Sequence, residues 1–96
     1  EALRKKVHEA ITPFQEAGCL IMTDVIGGSA TNICAELLNY NWIRIITGVN
    51  LPMVMEAINQ RDKLDLNTLS LKVQGSGVKG IVDLKDFFTS RKSKSS

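Results

Sequence analysis

A short apolar run, Cys19-Leu20-Ile21-Met22, ends in Thr23 and Asp24. Two glycines and a serine then come before a helical period sets in at Ala30. That order reads as a buried strand, a tight loop and a helix. It places Asp24 near the carboxyl end of the strand and Ser29 at the start of the helix, as its N-cap. Free backbone N–H groups point out of a helix start, and the dipole there favours negative charge. Gly27 and Gly28 let backbone approach a ligand without a Cβ in the way. The expectation is an anion site fitted to a phosphoryl group.

The layout recurs. Trp42–Thr47 reads as a second strand, Gly48-Val49-Asn50 as its loop, and Leu51-Pro52-Met53 as a helix opening with proline in its first turn. Right-handed crossovers bring both loops to one edge of a parallel sheet, the edge where ligands bind in open α/β folds. The predicted strands, Cys19–Thr23 and Trp42–Thr47, are neighbours.

The remaining pattern frames these two units. Leu3, Val7, Ala10, Ile11 and Phe14 follow a helical period. Pro13 predicts a break near Ile11–Thr12 and a last turn ending at Gly18. The helix after the first loop presents Ala30, Ile33, Cys34, Leu37 and Leu38 as one apolar stripe. The helix from Leu51 to about Arg61 is expected to bury Leu51, Val54, Met55 and Ile58. From Asn67 to Val78 the apolar positions fit strand or helix, with a break at Gly75-Ser76-Gly77. Gly80–Leu84 reads as a final strand. Phe87-Phe88 is too apolar for a free tail and is expected to pack on the domain or on a partner.

Ninety-six residues make one small domain with a thin core. Its net charge of +2 rests on Arg91, Lys92 and Lys94, and without them the chain is close to neutral. There is no basic stripe for nucleic acid, no apolar run of membrane-spanning length and no signal peptide. Residues 1–88 read as the domain and residues 89–96 as a disordered basic tail. Cys19 and Cys34 have no metal-ligand spacing and read as buried, reduced thiols, consistent with the cytoplasm. No cofactor or metal is expected.

Taken from the residues alone, Asp24 is either a loop carboxylate accepting from nearby N–H groups or a functional acid. Asn32, Gly48 and Asn50 support the loops. His8, the sole histidine, falls on the polar side of the first helix and reads as solvent-facing.

The segments Asp24-Val25-Ile26-Gly27-Gly28-Ser29-Ala30-Thr31-Asn32 and Ile46-Thr47-Gly48-Val49-Asn50-Leu51-Pro52-Met53 resemble the mannose-family enzyme IIA domain of the bacterial phosphoenolpyruvate-dependent sugar phosphotransferase system. The resemblance runs from the first helix to about Leu84. Ala30 stands where the family usually has proline. The related domain serving dihydroxyacetone kinase has a different loop, so Gly27-Gly28-Ser29 favours the sugar branch. The resemblance implies a three-layer α/β/α fold with a mostly parallel sheet, and a helix over Asn67–Val78.

It also implies a phosphoryl carrier that accepts from HPr and donates to enzyme IIB, and a homodimer paired through the C-terminal segment, Gly80–Phe88. Asp24 would orient the phosphorylated imidazole through its other ring nitrogen. Ser29 and the N–H groups of Gly27 and Gly28 would donate to phosphoryl oxygens. The family's phosphohistidine sits after a first strand, upstream of everything here, and His8 does not match it. Either the sequence is a piece of a longer protein, which the lack of an initiator methionine favours, or the protein does without that residue. Two other roles fit the same loops: a regulatory domain of a transcription regulator, or a non-catalytic assembly domain.

Overall fold

The computed structural model describes residues 2–24 and 27–95, and for residues 28–30 and 91–95 the backbone only. Two parallel strands form its centre, β1 (Cys19–Met22) and β2 (Ile43–Ile46), with Cys19 opposite Ile43 and Met22 opposite Ile46. Among the described residues, α1 (Ala2–Ile11) and α2 (Gly28–Leu37) lie on one face, α3 (Leu51–Gln60) and α4 (Leu66–Lys79) on the other, and α5 (Leu84–Ser95) follows at the end. The expected parallel neighbours are present. The pairing runs one residue beyond each strand, as Cys19 N–H donates to Trp42 C=O at 2.8 Å and Thr23 N–H to Ile46 C=O at 2.9 Å.

Alternation along the strands builds two cores, one on each face. Cys19, Ile21, Ile43 and Ile45 meet Val7 and Ile11 of α1 and Ile33 and Leu37 of α2. Leu20, Met22 and Ile46 meet Met53 and Ala57 of α3 and Leu69 and Val73 of α4. Leu37 and Val73 are fully enclosed, and burying side chains of that size stabilises by about 1.5–3 kcal/mol each. Helices on both faces of a parallel pair give the three-layer α/β arrangement. Because Thr23 N–H and Cys19 N–H both point to β2, the peptide groups of Leu20 and Met22 face the other edge of β1. No strand lies there among the described residues.

Pro13 acts as expected. Helix α1 stops at Ile11, a single 3-10 turn covers Thr12–Phe14, and Gly18 N–H closes onto Phe14 C=O at 2.8 Å. Cys19 and Cys34 are free and half-buried, and burial pushes the Cys19 thiol above its ordinary value.

Several expectations need correction. The ambiguous segment is helix α4, and it passes through Gly75-Ser76-Gly77 without a break. Gly77 is there for close packing: a Cβ on it would lie 2.6 Å from Met53 Cγ. Ser76 Oγ donates to Glu56 Oε1 at 2.8 Å, tying the same two helices together. Since α3 packs on α4 through Met53 and Ala57, its other apolar stripe turns outward. Leu51, Met55 and Ile58 are therefore exposed, against the expected burial.

The segment expected to be a final strand, Gly80–Leu84, is irregular at 81–83 and enters a helix at Leu84. Asp83 Oδ1 accepts from Lys85 N–H and Asp86 N–H at 2.9 and 3.2 Å, opening α5. That helix runs on through 89–95, which the composition had marked as a disordered tail. Lysine and arginine are good helix formers and extend what Asp83 begins. Phe87 and Phe88 stay largely exposed, and their rings meet each other edge-on at 5.6 Å.

Candidate functional site

Both strands end at the same edge, and backbone bonds tie their loops together there. Gly48 N–H donates to Asp24 C=O at 3.0 Å, and Val49 N–H donates to Thr23 C=O at 2.9 Å. Gly48 has φ +73, a left-handed conformation that favours glycine, and this turn carries the chain from β2 into α3. Asp24 follows directly on the last paired residue of β1, with its side chain exposed. The structure thus brings Asp24 and Gly48 together as expected.

Asn50 is more deeply built in than the sequence shows. Its Oδ1 accepts from Met53 N–H at 3.2 Å and caps α3, while its Nδ2 donates to Gly77 C=O at 3.0 Å and ties the loop to α4. Two hydrogen bonds to scaffold occupy both ends of its amide, so Asn50 is a structural residue of the edge.

The start of α2 differs from the expectation. Gly27, extended at φ −178 and ψ 163, is the N-cap, and Ser29 is the second residue of the helix. The serine is displaced from the cap because the helix already begins at Gly28. Its backbone N–H is then among the first-turn groups that have no partner inside the helix. No side chain closes this start from the cap position, and a Cβ built on Gly27 would meet nothing within 4 Å. Asn32 lies exposed on α2 one turn further on. Val25 and Ile26 of the motif lie outside the described residues.

His8 is remote from this edge. It is half-buried, where solvent exposure was expected, because its ring lies edge-on to Tyr40 at 6.4 Å. Tyr40 in turn packs on Trp42 at 5.4 Å, ahead of β2. This cluster sits at the amino edge, and a four-residue strand of about 13 Å separates it from the edge that carries Asp24.

A hollow of about 880 Å³ also lies at the amino edge, between Glu16, Asn41, Trp42, Asp65 and Asn67. A smaller one of about 450 Å³ lies behind the β2 loop, against Gly48, Asn50, Gln74 and Gly77. Asp24 lines neither. Among the described residues no grouping of histidine, cysteine, aspartate and glutamate would hold a metal ion, and no helix is long and apolar enough to cross a membrane.

One feature of this edge was not legible as such. Thr23 was visible only as the polar end of an apolar run, yet its hydroxyl is buried and has no hydrogen-bond partner. Nothing in sequence spacing reports a missing partner.

A family model described as the PTS system fructose IIA component matches residues 1–74. The crystal structure of phosphotransferase system component EIIA from Streptococcus agalactiae is similar to this chain, with 30% identity and a TM-score of 0.76. The match covers 88% of this chain and 67% of that one. No curated protein matches.

Proposed function

The chain belongs to the fructose-type IIA component family of the phosphotransferase system, and we propose that it is the part of a phosphoryl-carrier domain that holds the phosphoryl group without accepting it covalently. The observation that carries this reading is the position of Asp24. It leaves β1 at the carboxyl edge, bonded through its carbonyl to Gly48 N–H, beside a strand edge with no neighbour among the described residues. A further parallel strand laid on that edge would end next to Asp24, and a histidine in its loop would come within reach of the carboxylate. The Streptococcus protein has a third of its length beyond the matched region, room enough for such a segment.

In this reading the phosphoryl group arrives from HPr on that histidine and leaves to enzyme IIB. Asp24 accepts from the far ring nitrogen, which fixes the tautomer and stabilises the cationic ring. The N–H groups of Gly28 and Ser29, at the start of α2, are the donors to phosphoryl oxygens, and the serine hydroxyl adds another. Charge stabilisation of that kind is most of what phosphoryl transfer asks of a protein. Residues 1–88 are the domain, it works in the cytoplasm, and it pairs with a second copy through the exposed Ile81, Val82, Phe87 and Phe88.

The test is transfer of labelled phosphate from HPr into a protein carrying this chain together with the strand and histidine loop. Asp24→Ala should slow labelling by about a hundredfold, within the range of a lost general acid–base or orienting group, without lowering the unfolding midpoint. His8→Ala should leave labelling unchanged, and the 96-residue chain alone should take no label. Labelling that His8→Ala abolishes would overturn the assignment.

A further inference from the structure

β2 and its loop hold the end of β1 through consecutive backbone bonds. Thr23 N–H donates to Ile46 C=O at 2.9 Å, Val49 N–H to Thr23 C=O at 2.9 Å, and Gly48 N–H to Asp24 C=O at 3.0 Å. The main chain from which the Asp24 carboxylate projects is therefore set in part by where Gly48 lies. Gly48 has left-handed φ +73, with nothing within 4 Å of where a Cβ would be. Glycine restrains its own backbone least, so the position of its N–H depends on its neighbours.

Those neighbours are held from behind. Val49 packs against the core around Met53 and Val73. Asn50 Oδ1 accepts from Met53 N–H at 3.2 Å, and Asn50 Nδ2 donates to Gly77 C=O of α4 at 3.0 Å. A cap alone does not call for this residue. Serine and aspartate cap helices as well as asparagine does, and aspartates open α4 and α5. Aspartate has nothing to donate, and a serine hydroxyl is too short to span both partners. The amide accepts at one end and donates at the other, so it caps α3 and ties the loop to α4 at once.

We propose that Asn50 is a positioning residue for Asp24. It fixes the loop to α4, the loop places Gly48 N–H, and Gly48 N–H places the main chain of Asp24. Asn50 touches neither the phosphoryl group nor the imidazole. This inference rests on reading Asp24 as the group that orients the phosphohistidine.

Two variants separate the tie from the cap. Asn50→Ser and Asn50→Asp keep an oxygen for Met53 N–H and lose the bond to Gly77, so both should fold. Ser76→Ala is the control, since it removes another bond between α3 and α4, from Ser76 Oγ to Glu56 Oε1, and leaves the loop alone. Amide hydrogen exchange in the 96-residue chain reads the loop directly. In both Asn50 variants Gly48 N–H should exchange about five- to tenfold faster relative to Thr23 N–H, the range one hydrogen bond supplies. In Ser76→Ala that ratio should not change. In the longer protein that takes label from HPr, both Asn50 variants should lower kcat by about tenfold and leave the KM for HPr unchanged, because a misplaced group costs rate and not binding. A purely structural Asn50 would lower the unfolding midpoint and move neither the exchange ratio nor kcat. An unchanged ratio overturns the proposal and leaves the carrier reading standing. So does a raised ratio with kcat at its unmutated value, where Asp24→Ala slows transfer. Full-rate transfer in Asp24→Ala overturns the carrier role of Asp24 and the proposal with it, whatever the exchange ratio.

Discussion

The two strand–loop–helix units are built to the same plan and finished differently. In the second, Gly48 turns the chain, Asn50 caps α3 and reaches across to Gly77, and Val49 N–H returns to Thr23. Both ends of the Asn50 amide are spent on scaffold. In the first, the cap is a glycine with empty space before it, Asp24 is exposed, and a buried threonine hydroxyl lacks a partner. Capping elsewhere follows the second pattern, with Asp65 at α4 and Asp83 at α5. Among the helix starts that the structure describes, those of α3, α4 and α5 are capped by a side chain and that of α2 has none at its cap position. The common layout is therefore scaffold in one copy and candidate site in the other.

The largest effect on stability should come from the finished unit. Asn50→Ala removes the α3 cap and takes one of two donors from the carbonyl of buried Gly77, which keeps Gly80 N–H at 3.2 Å. A lost cap is typically worth about 1 kcal/mol and a lost tie between the loop and α4 about 0.5–1 kcal/mol, so about 1–2 kcal/mol of unfolding free energy should go. Asn50→Asp keeps the acceptor for Met53 N–H but cannot donate to Gly77, and should fall between. Denaturant unfolding measures both. If Asn50→Ala is no less stable than the unmutated chain, the two units do not differ as described.

The open unit should respond in the opposite sense. Gly27→Ser fits without crowding, since nothing lies within 4 Å of the new Cβ, and it supplies a capping hydroxyl. Serine over glycine at a cap is worth a few tenths of a kcal/mol, roughly the resolution of a careful denaturation series. The same hydroxyl would occupy a first-turn N–H, so inorganic phosphate should bind Gly27→Ser several-fold more weakly. A gain in stability with no loss of phosphate affinity would mean that the bare cap is not kept for an anion.

How much of this was legible in sequence depends on whether the pattern is local. The strands, their parallel order and the Pro13 break were, because apolar runs and proline act within a few residues of themselves. The cap of α2 was misplaced by two residues, as a serine and a glycine at the same turn both satisfy cap chemistry and only the path of the loop decides. The stripe of Leu51, Met55 and Ile58 is periodic, yet α3 packs by Met53 and Ala57. Periodicity gave the helix and not the face, because α4 approaches where Gly77 permits it. Gly75-Ser76-Gly77 looked like a break for the same reason, since a glycine that admits a neighbouring helix is written like one that ends its own. Asp24 was legible from its place at the end of an apolar run. Thr23 was not, because a missing hydrogen bond is a property of three dimensions.

The smallest expected effect separates capping by charge from capping by geometry. Asp65 Oδ1 accepts from Thr68 N–H at 2.8 Å at the start of α4. The backbone bond from Thr68 holds the Asp65 carboxyl below its ordinary value, with a further contribution from its side chain. A carboxyl depressed on folding adds stability that is present above its unfolded value and is lost as pH falls through its folded one. Asp65→Asn keeps an oxygen for Thr68 N–H but cannot titrate. Its unfolding midpoint should therefore fall less steeply on acidification than that of the unmutated chain, across the carboxylate range. Asp65 is fully exposed, so the difference should be small and should shrink further in high salt. Gly27 has nothing to titrate, and the start of α2 should gain no acid dependence of this kind until an aspartate is placed there. Gly27→Asp should introduce one, while its negative charge repels phosphate more strongly than Gly27→Ser does. A Gly27→Asp variant that still binds phosphate as the unmutated chain does would show that the anion is held elsewhere on the carboxyl edge.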